Sequence, residues 1–333
     1  MRFSVVIPLY NKGPYIACTL QSVLAQRESD LEVVVIDDGS SDDGPQIVTQ
    51  CKDPRVRLLR QPNAGVAAAR NRGIEAAGGD WVCFLDADDW LDPGHLGALW
   101  RAHQRYPQAD VLATDFVRVP HAPGHWPPGW VSPSSGAPIE LITRLAKSWM
   151  DRPTLSSSSV AVRRRRLQAL QPCFPEGESL GEDLDLWFRL AEQTPIALVH
   201  EPRVAYRVAV HGSLSGQQIA GAPQAPGFLK RLQQRVRNGV LPPQLQRDTR
   251  WLVAQHELSL AREALQAGYR GQALRWLLSA RPAMSSRRWW FTLMIVGLPR
   301  HWVHASLRWR EKRSKSDPTP SADQALGTSK SLP

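Results

Sequence analysis

The chain has 333 residues, of which 42% are hydrophobic and 22% charged. That length and apolar content exclude a disordered chain or a mini-scaffold, and they suit two domains or one large domain with an appendage. The net charge of +10 is uneven: residues 1–228 hold 22 basic and 25 acidic side chains, whereas residues 229–333 hold 19 basic and 6 acidic. A basic C-terminal third on a near-neutral body points to a polyanionic partner, either nucleic acid or an anionic membrane face.

In chain order, residues 3–9 form a short apolar run. Residues 15–26 place Ile16, Leu20, Val23 and Leu24 at a helical period. A β-branched run at 31–36 ends in Asp37-Asp38-Gly39-Ser40 and precedes a helix near 42–51. A strand at 55–59, an alanine-rich helix at 64–77 and a strand at 80–85 follow. That strand ends in Asp86-Ala87-Asp88-Asp89, and a helix at 93–105 and a short strand at 110–113 come next. Strands alternating with helices of this length predict βαβ units and a largely parallel sheet. Residues 119–138 are rich in Pro, Gly and Trp and read as a long ordered loop, a type that is often functional. Mixed α/β patterning returns over 155–210, with a helix at 182–193 and strands at 196–199 and 203–208. Residues 226 to about 310 are almost wholly helical, and the polar, turn-rich 314–333 are expected to be disordered. Domains are therefore expected at 1–225 and 226–313, with a tail at 314–333.

Cys18, Cys51, Cys83 and Cys173 form no C-x-x-C pair and no zinc-like spacing, and read as reduced core residues of a cytosolic protein. The first residues enter a strand at once, without the charged and apolar regions of a signal peptide.

In parallel sheets, ligands sit beyond the carboxyl ends of the strands. Three predicted strands end in polar clusters: Pro8-Leu9-Tyr10-Asn11, the Asp37 cluster and the Asp86 cluster. Two acidic clusters at one edge would repel each other, which calls for a cation or for donor groups on a ligand. In Asp86-Ala87-Asp88, carboxylates two apart on extended backbone point in alternate directions, so one can reach a metal and the other a ribose hydroxyl. Alone, this pair also fits an acidic turn, and Asp37-Asp38-Gly39-Ser40 also fits a plain βα turn. The helix after Asn63-Ala64-Gly65 presents its N-terminus to the crevice, with Arg70 within reach of a phosphate.

The combination is more specific than its parts. V-V-I-P-x-Y-N at 5–11, D-D-G-S at 37–40, N-x-G-x-x-x-A-R-N-x-G at 63–73 and F-L-D-A-D-D-x-W at 84–90 occur in this order. Together they strongly resemble the family 2 glycosyltransferases over about the first 215 residues. The resemblance implies a GT-A fold: a Rossmann-like, mostly parallel sheet flanked by helices, here followed by a helical C-terminal region. It implies an inverting transferase that uses a nucleotide diphosphate sugar, with UDP the commonest donor nucleotide, and Mg²⁺ or Mn²⁺. By this resemblance Pro8 and Tyr10 line the nucleoside pocket, Asp38 contacts base or ribose, and Arg70 lies near the nucleotide. Asp86 lies nearer the ribose and Asp88 faces the metal. Gly181-Glu182-Asp183 resembles the family's E-D element, in which Asp183 is the catalytic base. Tyr206-Arg207 and His211 resemble the closing segment, with His211 a metal or diphosphate ligand.

Single displacement needs only one catalytic carboxylate, because no covalent sugar intermediate forms. Rival classes are a sugar-phosphate nucleotidyltransferase, which lacks support because no Gly-rich basic loop follows the first strand, and a non-catalytic nucleotide-sugar-binding protein. Arg163-Arg164-Arg165-Arg166 is expected as a solvated face, with acceptor phosphate binding as the lesser alternative. Trp126 and Trp130 suit either sugar stacking or packing within their loop.

Residues 289–298 are the most apolar stretch, yet ten helical residues rise only about 15 Å against a hydrocarbon core of about 30 Å. Arginines and tryptophans around them suit a membrane interface. The expected protein is cytoplasmic, peripheral on an anionic membrane face, and acts on a glycan or lipid-linked acceptor in cell-surface polysaccharide or lipopolysaccharide assembly. A helical subdomain whose tryptophans merely pack is the alternative, and no nucleic-acid recognition motif is present.

Overall fold

The structure is a computed structural model. It describes residues 2–27, 30–119, 132–178, 180–208, 222–298 and 302–303. The chain divides into two compact units, Met1–Gln217 and Gln218–Pro333.

The first unit is an α/β domain on one sheet, in the order β3-β2-β1-β4-β8-β6-β9-β5 with β7 pairing β9. Strands β1 (Phe3–Leu9), β2 (Leu31–Asp37), β3 (Val56–Arg60) and β4 (Trp81–Phe84) form a wholly parallel block. The apolar runs of β1, β2 and β4 are buried on both faces, as parallel strands covered by helices require, while β3 is the half-exposed edge. The crossovers are α1 (Gly13–Leu24), α2 (Gly44–Gln50) and α3 (Val66–Ala76). The other half of the sheet is mixed. It holds β5 (Trp90–Leu91), β6 (Val111–Val119), β7 (Ile139–Ile142), β8 (Val160–Arg163) and β9 (Ile196–Arg207). β8 runs antiparallel to β4 and β6, and β6 runs parallel to β9. Helices α4 (His95–Arg105), α5 (Leu145–Asp151), α6 (Arg164–Gln168) and α7 (Glu182–Ala191) complete the unit.

Register sets the site. Leu9 lies opposite Asp37 and Val6 opposite Phe84, so β1, β2 and β4 deliver their carboxyl ends to one edge. Pro8 sits in a central strand, where a missing N–H normally breaks the ladder. Here β4 is paired with β1 only as far as Val6, so Pro8 falls beyond that ladder. Gly73 explains the last glycine of the third motif. A Cβ there would lie 2.2 Å from Val6 Cγ1, so only glycine lets α3 lie this close to β1.

Two expectations change in detail. The strands predicted at 196–199 and 203–208 are one strand, β9, because Pro202 sits opposite Asp115 where the register with β6 shifts. A bulge accommodates a proline that looks like a turn signal in sequence. For the same reason β6 runs past the predicted 110–113: its polar residues Thr114 and Asp115 pair with β9 across that irregularity. β7 and α5 have no clear sequence signal.

The second unit is helical: α8 (Gly227–Arg237), α9 (Pro243–Ala267), α10 (Arg270–Ser279) and α11 (Arg287–Val296). Pro243 opens α9 at a position needing no N–H donor, and Gly268 closes it at φ 89°. Ala254, Leu258 and Ala261 of α9 pack on Leu277 of α10 and Trp289 of α11. The Trp289 indole N–H donates to the Leu277 carbonyl at 3.0 Å. No helix among the described residues is long and apolar enough to cross a membrane.

Candidate active site

The loop after β1 is joined to the loop after β2. Asn11 adopts φ 51°, a left-handed conformation that Asn tolerates better than most residues. Its Oδ1 accepts from the Ser41 N–H at 2.8 Å, and its own N–H donates to Ser40 Oγ at 3.1 Å. Gly39, at φ 76°, makes the turn. Tyr10 stands 49% exposed at the strand end, and Pro8 lies just behind it in β1. Asp38 is buried and accepts from Gln61 Nε2 at 2.7 Å and from the backbone N–H groups of Ala64 and Gly65 at 2.9 and 2.8 Å. Its carboxylate thus fixes the loop that starts α3.

Arg70, on the second turn of α3, is buried between two acidic motifs. Its guanidinium donates to Asp86 Oδ1 at 2.7 Å and to Glu182 Oε1 at 2.6 Å, and it lies 5.4 Å from the Phe174 ring centre. Burial opposes its charge, but Asp86, Glu182 and Asp183 outweigh that and raise its pKa above the ordinary value. Arg70 therefore joins the strand-end aspartates to the start of α7, 112 residues away in sequence.

Asp88 accepts from the Lys12 ammonium at 2.7 Å. Burial, and then Asp86, push the Asp88 carboxyl upward against the pull of Lys12. Asp89 is fully buried. It accepts from Ser158 Oγ at 2.6 Å and from the Arg207 N–H at 2.9 Å, and burial beside Asp88 and Asp86 raises its pKa well above the ordinary range. The Arg207 guanidinium donates to the Asp88 carbonyl and stacks 3.8 Å from the Trp90 ring centre.

Asp183 sits in the first turn of α7, after Gly181 at φ 76°. Its Oδ2 accepts from Ser157 Oγ at 2.8 Å and its Oδ1 from the Leu184 N–H at 2.8 Å. Burial, and then Asp183, raise the Glu182 pKa against the pull of Arg70. A 3-10 turn at Ser157–Ser159 thus sends one hydroxyl to Asp183 and the next to Asp89. Ser158 Oγ also accepts from the Asp86 N–H at 3.1 Å.

The fold therefore links Asp86, Asp88 and Arg70 by hydrogen bonds and sets Asp183 beside them, next to Glu182 in sequence and bonded to Ser157, with Pro8, Tyr10 and Asp38 at the neighbouring strand ends. His211, Trp126 and Trp130 lie outside the described residues. Lys12, Ser157 and Ser158 are the residues that sequence reasoning missed. The run 156–159 offered only a serine cluster, and Lys12 only a cation after a strand. The four-arginine run has a local purpose rather than a fully solvated one: Arg163 and Arg166 each hold the buried Asp110 at 2.7 Å, and Arg165 reaches it at 3.5 Å.

Residues 4–167 match the model of "Glycosyl transferase family 2". The chain is 46% identical over 94 residues to the uncharacterized glycosyltransferase YibD of Escherichia coli, covering 28% of this chain and 27% of that protein. The uncharacterized glycosyltransferase alr2836 of Nostoc is 30% identical over 235 residues, covering 67% of this chain and 69% of that protein. Among solved structures, residues 1–349 of Staphylococcus aureus TarS in complex with UDP-GlcNAc superpose with a TM-score of 0.63 at 20% identity. That likeness covers 92% of this chain and 88% of the TarS chain, and at this identity it is one of fold. With the four motifs assembled at one sheet edge and the match extending over two thirds of the Nostoc protein, the chain belongs to glycosyl transferase family 2.

Proposed function

We propose that the chain is a metal-dependent inverting glycosyltransferase that moves a sugar from a UDP-sugar to a hydroxyl of a glycan or lipid-linked acceptor, in cell-surface polysaccharide or lipopolysaccharide assembly. The observation that supports this reading is the Arg70 bridge, which joins Asp86 to Glu182, the residue before Asp183. The UDP-GlcNAc named with the TarS structure supports UDP as the donor nucleotide. Family membership sets aside a nucleotidyltransferase.

The donor set fits Mg²⁺ or Mn²⁺. Asp86 and Asp88 are hard oxygen donors, and among the described residues no group of three acidic, His or Cys side chains forms a protein-only cage. A divalent ion of this kind takes one or two carboxylates and fills its shell with diphosphate oxygens and water. Asp88 would hold the ion, with His211 as the expected further ligand. When bound, the ion stabilises the growing charge of the leaving diphosphate.

The chain's own residues do the rest. Tyr10 and Pro8 border the nucleoside, and Asp38 holds the loop around it. Asp86, fixed by Arg70, faces the ribose, so Arg70 acts on the nucleotide through Asp86. Asp183, oriented by Ser157, takes the proton of the acceptor hydroxyl. The acceptor oxygen forms a bond to C1 of the sugar from the face opposite the diphosphate. The C1–oxygen bond breaks and its electron pair leaves with UDP, so configuration inverts. A positioned general base is worth roughly 10²–10⁴-fold in rate. Peripheral attachment to an anionic membrane through the basic second unit concentrates lipid-linked acceptors.

Asp183→Asn tests this. It keeps shape and the Ser157 contact but removes the base. Turnover should fall by about 10²-fold or more, while UDP binding with Mn²⁺, followed by calorimetry, stays unchanged. Undiminished turnover removes Asp183 from the mechanism. Absence of turnover in the parent protein, with UDP still bound, favours the non-catalytic binding protein.

A further inference from the structure

Residues 264–310 contain eight arginines, no lysine and no Asp or Glu. They run from the last residues of α9 through α10 and α11. Both helices have a committed inner side: Ala273 and Leu277 of α10, and Trp289 and Ile295 of α11, are buried against α9. Their other side is apolar too. Leu274 and Leu278 stand one turn apart on α10, and Trp290 and Met294 one turn apart on α11 with Leu293 beside them. All five are exposed, Trp290 by 51% and Met294 by 67%. Arg275, Arg281 and Arg287 are also exposed and make no ion pair among the described residues.

We propose that the outward sides of α10 and α11 form one docking face for an anionic phospholipid surface, with the helices lying in the interface plane. This assignment rests on the membrane attachment proposed above and is independent of the transfer chemistry. Three features select lipid as the occupant. α11 spans ten residues, about 15 Å, so it can enter an interface but not cross a core of about 30 Å. The charges are all guanidinium, whose fork matches phosphodiester oxygens, and no carboxylate in the stretch repels them. Finally, the Trp290 indole N–H already donates to the Met284 carbonyl at 2.8 Å, so its ring can enter an apolar layer without stranding a donor.

The test is flotation of the full chain with phosphatidylcholine vesicles, with and without about 30% phosphatidylglycerol. Leu278→Glu with Met294→Glu removes apolar insertion, and Arg281→Gln with Arg287→Gln removes charge. All four sites are exposed, and circular dichroism checks the fold. The parent chain should float with the anionic vesicles and not with pure phosphatidylcholine. The arginine pair should lower partitioning about 25-fold, taking about fivefold for each arginine. The glutamate pair should lower it by about tenfold or more, with UDP binding unchanged. If the parent chain binds neither vesicle, the attachment itself fails and the face with it. If it binds but the glutamate pair binds equally well, attachment stands and this face is wrong. If the glutamate pair instead turns an oligomer into a monomer in light scattering, the face belongs to a second copy of the chain.

Discussion

At the scale of the residue, the site is a set of buried charges that hold one another. Arg70 has an acidic partner at each terminal nitrogen: Glu182 is shielded from water and Asp86 is partly exposed. Truncating one member of such a group leaves uncompensated charge, at a cost of about 3–5 kcal/mol. Arg70→Ala should therefore lower Tm by about 10 °C or more in a thermal melt. Arg70→Lys should recover only part, since one ammonium lacks the fork that reaches Asp86 and Glu182 together. Lys12 differs, because its partner Asp88 is the expected metal ligand. Its ammonium and a divalent ion compete for one carboxylate. Lys12→Met should bind Mn²⁺ about tenfold more tightly in the absence of nucleotide, the equivalent of one charge-assisted hydrogen bond. Electron paramagnetic resonance of free Mn²⁺ reads this directly, and unchanged or weaker binding would show that Lys12 does not guard Asp88.

At the scale of the element, close approach of α3 to β1 brings Arg70 to its partners. Gly73→Ala introduces a methyl 2.2 Å from Val6 Cγ1. Overpacking of this kind costs about 1–3 kcal/mol. Its signature would be a lower denaturation midpoint together with reduced turnover, because Arg70 rides on the same helix. A lowered midpoint with full turnover would mean that Val6 absorbs the strain and α3 stays in place. Gly73 and Arg70 were both legible in sequence, since their motif sits on an alanine-rich helix after a strand. So were β1 to β4: the apolar runs of β1, β2 and β4, the acidic ends of β2 and β4, and the alternation with helices carry the period and the punctuation of a parallel sheet. Long-range partners were not legible. Ser157 and Ser158 meet Asp183 and Asp89 only because β8 threads beside β4, and no local pattern announces that pairing. Pro202 misled for a related reason: a bulge is a property of two strands, and sequence shows one at a time.

At the scale of the whole molecule, buried carboxylates of two kinds respond to acid in opposite senses. In the first, Asp110, Glu201 and Glu32 are held below the usual carboxylate range. Burial opposes their charge, but Arg166 and Arg163 on Asp110, Arg203 and Arg101 on Glu201, and Ser4 and Arg57 on Glu32 outweigh it. For such groups the unfolded chain binds more protons than the native one, so their stabilisation is present above the ordinary carboxylate pKa. It drains away as pH falls through the lowered value. In the second unit, Glu257 is buried, and burial raises its pKa against the hydroxyl of Ser279 and the amide of Gln233. The native state then binds the extra proton, so this group destabilises as pH rises through the raised value and relaxes as pH falls. Because Asp110, Glu201, Glu32 and Asp53, the last lowered by its hydrogen bonds from Arg55, stand against the raised Glu257, Glu263, Asp89, Asp88 and Glu182, the slope differs with pH. Tm should rise or stay level from pH 7 toward 5 and drop below about 4, where ordinary carboxylates titrate. Asp110→Asn should lower Tm at pH 6 by about 4–8 °C, from about 2 kcal/mol of lost charge-assisted bonding, and should flatten the acid drop. Glu257→Gln should do the reverse near neutrality: it removes a buried charge, raises Tm at pH 7 and reduces the gain on mild acidification. Melts of the parent and both variants between pH 3 and 8 decide the matter. Parallel curves for all three would mean that neither carboxylate changes its protonation on folding.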